Sequence, residues 1–306
     1  MARLAALDVG TNSTRLLVAD VEDGAIVATH TRENVITRLG KGVDRTGRFD
    51  PAALARTLEV LAGYAETCRR LGAGRRRLVA TSATRDAADR QVFLDGVRDL
   101  LGVEAEVLTG RAEAAAAYRG ATSGLDDRRT LVVDIGGGST ELILGDGATA
   151  RAMISLDIGC VRLFERHLHH DPPTAAEVAA LRADVAGHLA RVAEVLDPAA
   201  ATRVVGVAGT VTTVTAIALG MDTYDPHRIH HQTVDAAEIT AVAGKLAAMT
   251  VAERAAMRVM AKGREDVIAA GALLLDELVQ HFHLREVIAS ETDILDGVLL
   301  ELAGRP

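Results

Sequence analysis

Short apolar runs alternate with capped, amphipathic segments along the whole chain. The first two runs, around Leu7 and Leu16, are separated by a turn containing Gly10, which predicts a β-hairpin. Asp50-Pro51 predicts the start of a helix, because aspartate caps a helix N-terminus and proline suits its first turn. A hairpin followed by alternating strands and helices occurs twice, which predicts two mixed α/β sheets.

The other predicted elements continue this alternation. Strands are predicted at residues 25–29, 77–81, 104–108, 151–156, 203–207 and 286–289, and helices at 86–101, 110–119, 265–282, from residue 210 and at the C-terminus. Thr174, Asp235 and Thr250 each stand three residues before a glutamate, which is the capping-box pattern of a helix start.

The chain contains an internal repeat. Residues 7–16 read LDVGTNSTRL and residues 133–142 read VDIGGGSTEL, and Asp20 and Asp146 lie at equal offsets after them. A repeat at this distance indicates a duplicated domain, because solenoid repeats have periods of about 20–50 residues. With the polar stretch 120–129 as linker, we predict domains at 1–124 and 125–306 that form a cleft between them.

Composition narrows the class of protein. The 306 residues, 49% hydrophobic and 25% charged, suit a folded protein of about two domains. A net charge of -8 argues against a general nucleic-acid binder, although the arginine cluster within 69–77 is a candidate anion patch. Cys68 and Cys160 lie too far apart for a disulfide framework or zinc motif. We find no signal peptide or membrane-length apolar run and expect a cytoplasmic location.

The two glycine-containing turns suit phosphate chemistry. Glycines allow close backbone approach, and successive N–H groups form a nest for anions. Gly136, Gly137, Gly138 and Ser139 make such a turn. Asp8 and Asp134, which end the preceding strands, are candidate ligands for Mg²⁺, since this cation takes one or two carboxylates together with phosphate oxygens and water.

These motifs resemble those of a known group of proteins. Residues 8–13, 134–141 and 206–210 are similar to the two phosphate loops and the nucleotide-side loop of the actin, hexokinase and heat-shock ATPase superfamily. Further pieces, at 38–44, 81–87, 110–114, 157–162 and 263–268, resemble the exopolyphosphatase/guanosine pentaphosphate phosphohydrolase family within it. The resemblance implies two actin-like (ribonuclease H-like) domains and Mg²⁺-dependent release of terminal phosphate, with Mn²⁺ as an alternative metal.

The same resemblance implies roles for individual residues. Glu113 matches the catalytic glutamate that orients or deprotonates water, and Glu141 matches a second glutamate that helps to position water or metal. Asp134 matches a metal-associated aspartate. The implied substrate contacts are Asn12, Ser13, Arg85, Gly209, Thr210 and the turn from Gly136 to Ser139. The family often has a carboxylate just before the catalytic glutamate, and Ala112 stands there instead, so we expect a more acidic Glu113.

Several alternatives stay open at this stage. Without the resemblance, Glu113 is a solvated first-turn glutamate, and Arg85 is a surface salt-bridge partner. The histidines at 167, 169, 170, 227, 230 and 231 are expected to be solvated, because they lack metal-site spacing.

The substrate is not fixed by these loops either. Inorganic polyphosphate and guanosine pentaphosphate both fit them, and an actin-like ATP-binding protein or a catalytically silent sensor are alternatives of another class. Because the chain ends soon after the second sheet, we expect short polyphosphate to be preferred over long polyphosphate. We also expect a homodimer.

Overall fold

The computed structural model describes residues 1–305, which form two compact α/β units. The first unit comprises residues 1–120 together with the C-terminal residues from 293 onward, and the second comprises residues 121–292. Each unit has one mixed sheet with helices packed on it. The predicted fold class, α/β with two mixed sheets, is confirmed.

The elements follow one another in a regular order. The strands are β1 (Ala2–Val9), β2 (Ser13–Glu22), β3 (Ala25–Ile36), β4 (Arg75–Ala80), β5 (Ala105–Val107), β6 (Arg129–Ile135), β7 (Thr140–Asp146), β8 (Thr149–Leu156), β9 (Arg203–Val207), β10 (Thr233–Asp235) and β11 (Glu286–Ala289). The helices are α1 (Val43–Thr46), α2 (Pro51–Arg70), α3 (Ser82–Asp86), α4 (Arg90–Leu101), α5 (Gly110–Ala121), α6 (Cys160–His167), α7 (Ala175–Leu189), α8 (Ala208–Ala218), α9 (Pro226–Ile229), α10 (Ala236–Ala248), α11 (Val251–Ala255), α12 (Ile268–His281) and α13 (Ile294–Ala303). Two 3₁₀ turns, Val192–Glu194 and Pro198–Ala200, lie between α7 and β9.

The two sheets share one topology. The first has the order β3-β2-β1-β4-β5, and the second has β8-β7-β6-β9-β11-β10. In both, three antiparallel strands are followed by two strands parallel to the first, and the second sheet ends in an additional strand, β10, that is antiparallel to β11. This is the ribonuclease H-like arrangement, so the internal repeat corresponds to two copies of one fold.

Equivalent side chains make equivalent contacts in the two hairpins. Arg3 donates to Asp20 across β1 and β2 at 2.8 Å, and Arg129 donates to Asp146 across β6 and β7 at 2.9 Å. The aspartates are the pair that the sequence places at equal offsets. The duplication therefore extends to the polar pairs that bridge the first two strands.

The last helix departs from the predicted domain boundary. Residues 293–306 were expected in the second domain, but α13 packs with the first unit. Its apolar residues Ile294, Val298 and Leu299 are buried in a cluster with Leu4 and Leu17 of the first sheet. Order along the chain does not indicate which of two sheets an apolar helix covers, which is why the sequence misplaced it.

Most other predicted elements match the structure closely. Asp50 caps α2 by accepting from Ala53 N–H at 2.8 Å, and all three predicted capping boxes are present. The predicted helix 86–101 begins later, at Arg90 of α4, because Ala87 is extended and ends the separate short helix α3. No helix within the described residues has the length and apolarity needed to cross a lipid bilayer.

The arginine cluster of the first unit makes internal contacts. Arg77 is buried and forms ion pairs with Glu106 and Glu301, while Arg75 donates to the carbonyl oxygens of Leu302 and Arg305. These guanidinium groups hold α13 and the C-terminal residues against β4. The anion patch expected from the sequence is therefore wrong for these two residues.

Candidate active site

The first unit brings Asp8 and Arg15 together at the end of its first hairpin. The two residues lie opposite each other in the β1–β2 register, and Arg15 donates to Oδ2 of Asp8 through Nε at 2.9 Å and Nη2 at 2.6 Å. The other oxygen, Oδ1, is buried without a hydrogen-bond partner among the described residues. Burial raises the pKa of Asp8, and the Arg15 guanidinium opposes this rise. One oxygen is therefore held by the protein and the other is left to a ligand.

Arg15 also contacts the carboxylate of Asp293, the residue that caps α13. It thus lies between two carboxylates, one from the first strand and one from the last helix. Sequence analysis did not select Arg15 as a candidate. The internal repeat could have identified Arg15, because this residue occupies the position that Glu141 occupies in the second copy.

Glu113 lies in the first turn of α5 and is buried, with only 8% of its surface exposed. Its Oε2 accepts from Nη1 of Arg85 at 2.5 Å, and the same nitrogen donates to the carbonyl of Leu108 at 2.9 Å. Burial raises the pKa of Glu113 to about 6, although the Arg85 charge opposes this, and the nearby Asp8 charge adds to the rise. A carboxyl with this pKa can accept a proton near neutral pH.

The structure excludes one alternative that the sequence left open for Glu113. It is not a solvated surface glutamate. It is also not more acidic than usual, because removal from water raises its pKa without a second carboxylate at Ala112. Arg85, half-buried, pairs with Glu113 instead of with a surface partner.

The first turn, residues 10–13, follows β1 and leads into β2. It is closed by a hydrogen bond from Gly10 N–H to the Ser13 carbonyl at 2.9 Å. Oδ1 of Asn12, within this turn, is buried and lacks a hydrogen-bond partner among the described residues. Because buried polar atoms are normally paired, this oxygen is suited to accept a hydrogen bond from a polar ligand or water.

The second unit repeats this arrangement with one change of charge. Asp134 and Glu141 lie opposite each other in the β6–β7 register, and both are buried. Ser155 donates its hydroxyl to Oε1 of Glu141 at 2.6 Å. Two carboxylates directly opposite on adjacent strands repel each other unless a cation lies near them. The second unit thus has an acidic pair where the first has an Asp–Arg pair.

The second turn, residues 136–139, matches the first in geometry. Gly136 N–H donates to the Ser139 carbonyl at 3.0 Å, and backbone N–H groups at the start of α6 donate to carbonyl groups of the turn. Arg162 of α6 donates from Nε to the carbonyl of Gly138 at 2.9 Å. The three glycines and Ser139 therefore lie together at the end of β6, as the sequence predicts.

Gly209 and Thr210 begin α8, at the end of β9. Arg264 donates to the Gly209 carbonyl at 3.1 Å and to Oγ1 of Thr213 at 2.9 Å, and a Cβ added to Gly209 would lie 2.1 Å from the guanidinium. Arg264 thus covers Gly209, and Thr210 is buried. Arg264, which sequence analysis quoted only within a longer motif, is the charged side chain that contacts this position.

The histidines do not form a metal site. Among residues 1–305, no group of three or more His, Cys, Asp or Glu side chains is arranged to hold a metal ion. His167 pairs with Asp184 at 2.8 Å and His170 with Glu177 at 2.9 Å, while the rings of His230 and His231 stack with centroids 3.7 Å apart. His167 thus differs from the solvated state that was expected for it.

Comparison with known proteins agrees with the fold. Over 319 aligned residues, the chain is 45% identical to exopolyphosphatase 2 of Mycobacterium tuberculosis, with 99% of both chains covered. It is 39% identical to the guanosine-5'-triphosphate,3'-diphosphate pyrophosphatase of Vibrio atlanticus over 173 residues, which is 56% of this chain and 34% of that one. The crystal structure of an exopolyphosphatase-like protein superimposes with a TM-score of 0.94 at 35% identity, covering 98% of this chain and 97% of that one.

A family model gives the same assignment. The model of the Ppx/GppA phosphatase family matches residues 17–305, which include both glutamates and the whole second turn. With its duplicated sheets, its paired turns and its full-length relative, this chain belongs to the Ppx/GppA phosphatase family.

Proposed function

We propose that this protein is an exopolyphosphatase that releases terminal orthophosphate from inorganic polyphosphate, with a preference for short chains. The observation that carries the proposal is Glu113, a buried carboxyl with a pKa near 6 that is held by Arg85, in a chain whose full-length relative is named an exopolyphosphatase. Such a group suits the activation of water, which is the proton transfer that hydrolysis of a phosphoanhydride requires.

The chemical step is an in-line attack by water. The water oxygen forms a bond to the terminal phosphorus while the bond from that phosphorus to the bridging oxygen breaks. Glu113 accepts a proton from the water, and the shortened polyphosphate leaves with the bonding electron pair. Within each unit, the backbone N–H groups of the turn are suited to donate to phosphate oxygens, and such fixed dipoles stabilise the charge that develops in the transition state.

Divalent metal dependence is general among Ppx/GppA phosphatases. For this chain we propose Mg²⁺, with Mn²⁺ as the alternative. Suitable oxygen ligands are Oδ1 of Asp8, which has no hydrogen-bond partner among the described residues, and the carboxylates of Asp134 and Glu141. Mg²⁺ takes few protein carboxylates and completes its coordination shell with water and phosphate. When bound, the metal would neutralise phosphate charge.

The test is a phosphate-release assay on purified protein with four substrates: short polyphosphate, long polyphosphate, guanosine pentaphosphate and ATP. We expect the highest kcat/KM with short polyphosphate and loss of activity in EDTA that is restored by Mg²⁺. Full activity in EDTA would contradict the metal, and release from ATP alone would contradict the substrate class.

Guanosine pentaphosphate is the second candidate substrate. It is favoured by the likeness to a guanosine-5'-triphosphate,3'-diphosphate pyrophosphatase, which covers 56% of this chain. A kcat/KM for guanosine pentaphosphate above that for every polyphosphate would make this the main activity.

A further inference from the structure

Each of the two turns is contacted on one side by a segment that follows the third strand of its sheet. In the first unit this is residues 38–40, here named the first clamp, which comes directly after β3. In the second unit it is residues 159–162, the second clamp, which comes shortly after β8. In each clamp a glycine follows a buried apolar residue: Gly40 follows Leu39, and Gly159 follows Ile158.

The second clamp binds three successive carbonyl groups of the second turn. Cys160 N–H donates to Gly136 O at 3.0 Å, Val161 N–H donates to Gly137 O at 2.9 Å, and Arg162 Nε donates to Gly138 O at 2.9 Å. In a trans peptide, the C=O and N–H groups point in opposite directions. The N–H groups of residues 137, 138 and 139 therefore point away from the clamp, and none of them donates to a backbone carbonyl within the described chain.

The first clamp binds two successive carbonyl groups of the first turn through hydrogen bonds. Gly40 N–H donates to Thr11 O at 2.8 Å, and Arg38 N–H donates to Asn12 O at 2.9 Å. The N–H groups of Asn12 and Ser13 belong to the same two peptide units, so they point away from the clamp. Both turns are thus held with consecutive N–H groups on one side.

Each clamp needs a glycine because its backbone lies very close to the residues of its turn. Gly159 has an extended backbone, with φ -160°, that any residue adopts, but a Cβ there would lie 2.5 Å from the carbonyl carbon and oxygen of Gly137. A Cβ on Gly40 would lie 2.2 Å from Cγ2 of Thr11. A side chain at either position would push the clamp off its turn.

We propose that each clamp is a positioning segment for phosphate binding, which fixes the peptide planes of its own turn so that the consecutive N–H groups of that turn lie on one side and donate to a phosphate group. This inference rests on the proposed function for the identity of the anion. Gly159, Gly40 and Arg162 do not touch substrate in this role and act through the turns.

The experiment compares Gly159→Ala with Gly187→Ala in the full-length protein. Gly187 lies in α7 with open space around it, so it controls for the substitution itself. We measure KM and kcat for short polyphosphate, the dissociation constant for inorganic phosphate, and the thermal midpoint. Loss of well-aligned hydrogen bonds to a charged group predicts phosphate binding weaker by about tenfold to a hundredfold for Gly159→Ala. Wild-type affinity in a folded Gly159→Ala protein would overturn the proposal.

If Gly159→Ala does not fold, a pair of variants at Arg162 decides the question. Arg162→Met removes the donor to the Gly138 carbonyl, and Arg162→Lys keeps the charge without the guanidinium Nε. We expect both to raise KM and the phosphate dissociation constant by similar factors while the thermal midpoint stays near the wild-type value. Full rescue by lysine, or no effect from either variant, would show that Arg162 does not act through the turn.

These readouts separate the two proposals. A wild-type protein that releases no phosphate from polyphosphate refutes the proposed function, and the phosphate-affinity comparison still tests the clamps. A protein that is active on polyphosphate while all clamp variants keep wild-type KM and phosphate affinity refutes the clamps alone.

Discussion

Glu113 shows how burial and one ion pair together set the chemistry of a single residue. Removal from water disfavours its charged form, and Arg85 at 2.5 Å favours it, with the balance placing the pKa at about 6. Without Arg85 the carboxyl would be protonated over more of the neutral range. Without burial it would be ionised but a weaker base. The pairing therefore keeps the carboxylate that we propose as the base both charged and reactive near neutral pH.

The substitution Glu113→Gln removes this base and keeps the size of the side chain. We expect kcat to fall by about 10²–10⁴-fold, the usual contribution of general base catalysis, while KM changes little. The control is Glu59→Gln, an exposed glutamate of α2. A Glu113→Gln protein with wild-type kcat would exclude Glu113 as the base.

The pH dependence provides an independent test of the same pair. The carboxylate is the active form, so activity rises with pH through the pKa near 6. The Arg85 charge lowers the pKa of Glu113, so Arg85→Met should move the acidic limb of the kcat/KM profile to higher pH. Arg98→Met, which removes an exposed arginine paired with Asp95, serves as the control. An acidic limb that stays in place would separate Arg85 from the titration of Glu113.

The acidic pair of the second unit leads to a prediction about metal. Asp134→Asn removes one of the two opposed carboxylate charges while its shape is retained, so more Mg²⁺ should be needed for half-maximal activity, and maximal activity should fall. Asp146→Asn, on the same hairpin but paired with Arg129, should leave the Mg²⁺ titration unchanged. Identical titrations for Asp134→Asn and wild type would remove Asp134 from the metal site.

At the scale of elements, the helix that carries Glu113 is fixed by its contact with α13. A Cβ on Gly297 would lie 1.9 Å from the carbonyl oxygen of Ala116, and one on Gly120 would lie 1.7 Å from that of Asp293. The two helices therefore approach at backbone distance. Since Asp293 also contacts Arg15, the last helix supports both Glu113 and Asp8 in the first unit.

Gly297→Ala tests this contact. Overpacking against backbone costs about 1–3 kcal/mol, so we expect a lower thermal midpoint together with a lower kcat, because α5 must shift. Gly63→Ala in α2 meets no atom within 4 Å and should instead stabilise the protein by about 0.4–1 kcal/mol. Unchanged stability and turnover in Gly297→Ala would mean that the α5–α13 contact is not tight.

The elements themselves were largely predictable from the sequence, because their signals are local. The strands at 203–207 and 286–289 agree residue for residue, and the capping boxes mark helix starts. Contacts between distant segments were not predictable. Three features depend on which residues meet in space: the packing of α13, the burial of Glu113 and the contact of Arg264 with Gly209. The apolar periodicity of the sequence does not contain that information.

At the scale of the molecule, several arginine side chains form ion pairs or hydrogen bonds within the protein. The chain has 34 basic residues and a net charge of -8, so a polyanionic substrate meets attraction only where cations face it. Arg69 pairs with Glu66, and Arg75 and Arg77 hold the C-terminal residues. Arg77 also lies near the start of β4, away from the strand end that neighbours Asp8. These arginines therefore do not extend a path for polyphosphate.

This distribution leads to a prediction about chain length. Each added phosphate gains binding energy only from a further charge-assisted contact. In the first unit we propose that Arg38 and Lys41, on the loop that contacts the first turn, and Arg85 make those contacts. We expect kcat/KM for polyphosphate of a few phosphates to exceed that for chains of hundreds. Lys41→Gln should weaken binding of the short chains, and Arg70→Gln, an exposed change near the end of α2, should leave the length profile as it is. Efficiency that climbs steadily with length, with processive degradation, would require a longer cationic path than these residues provide.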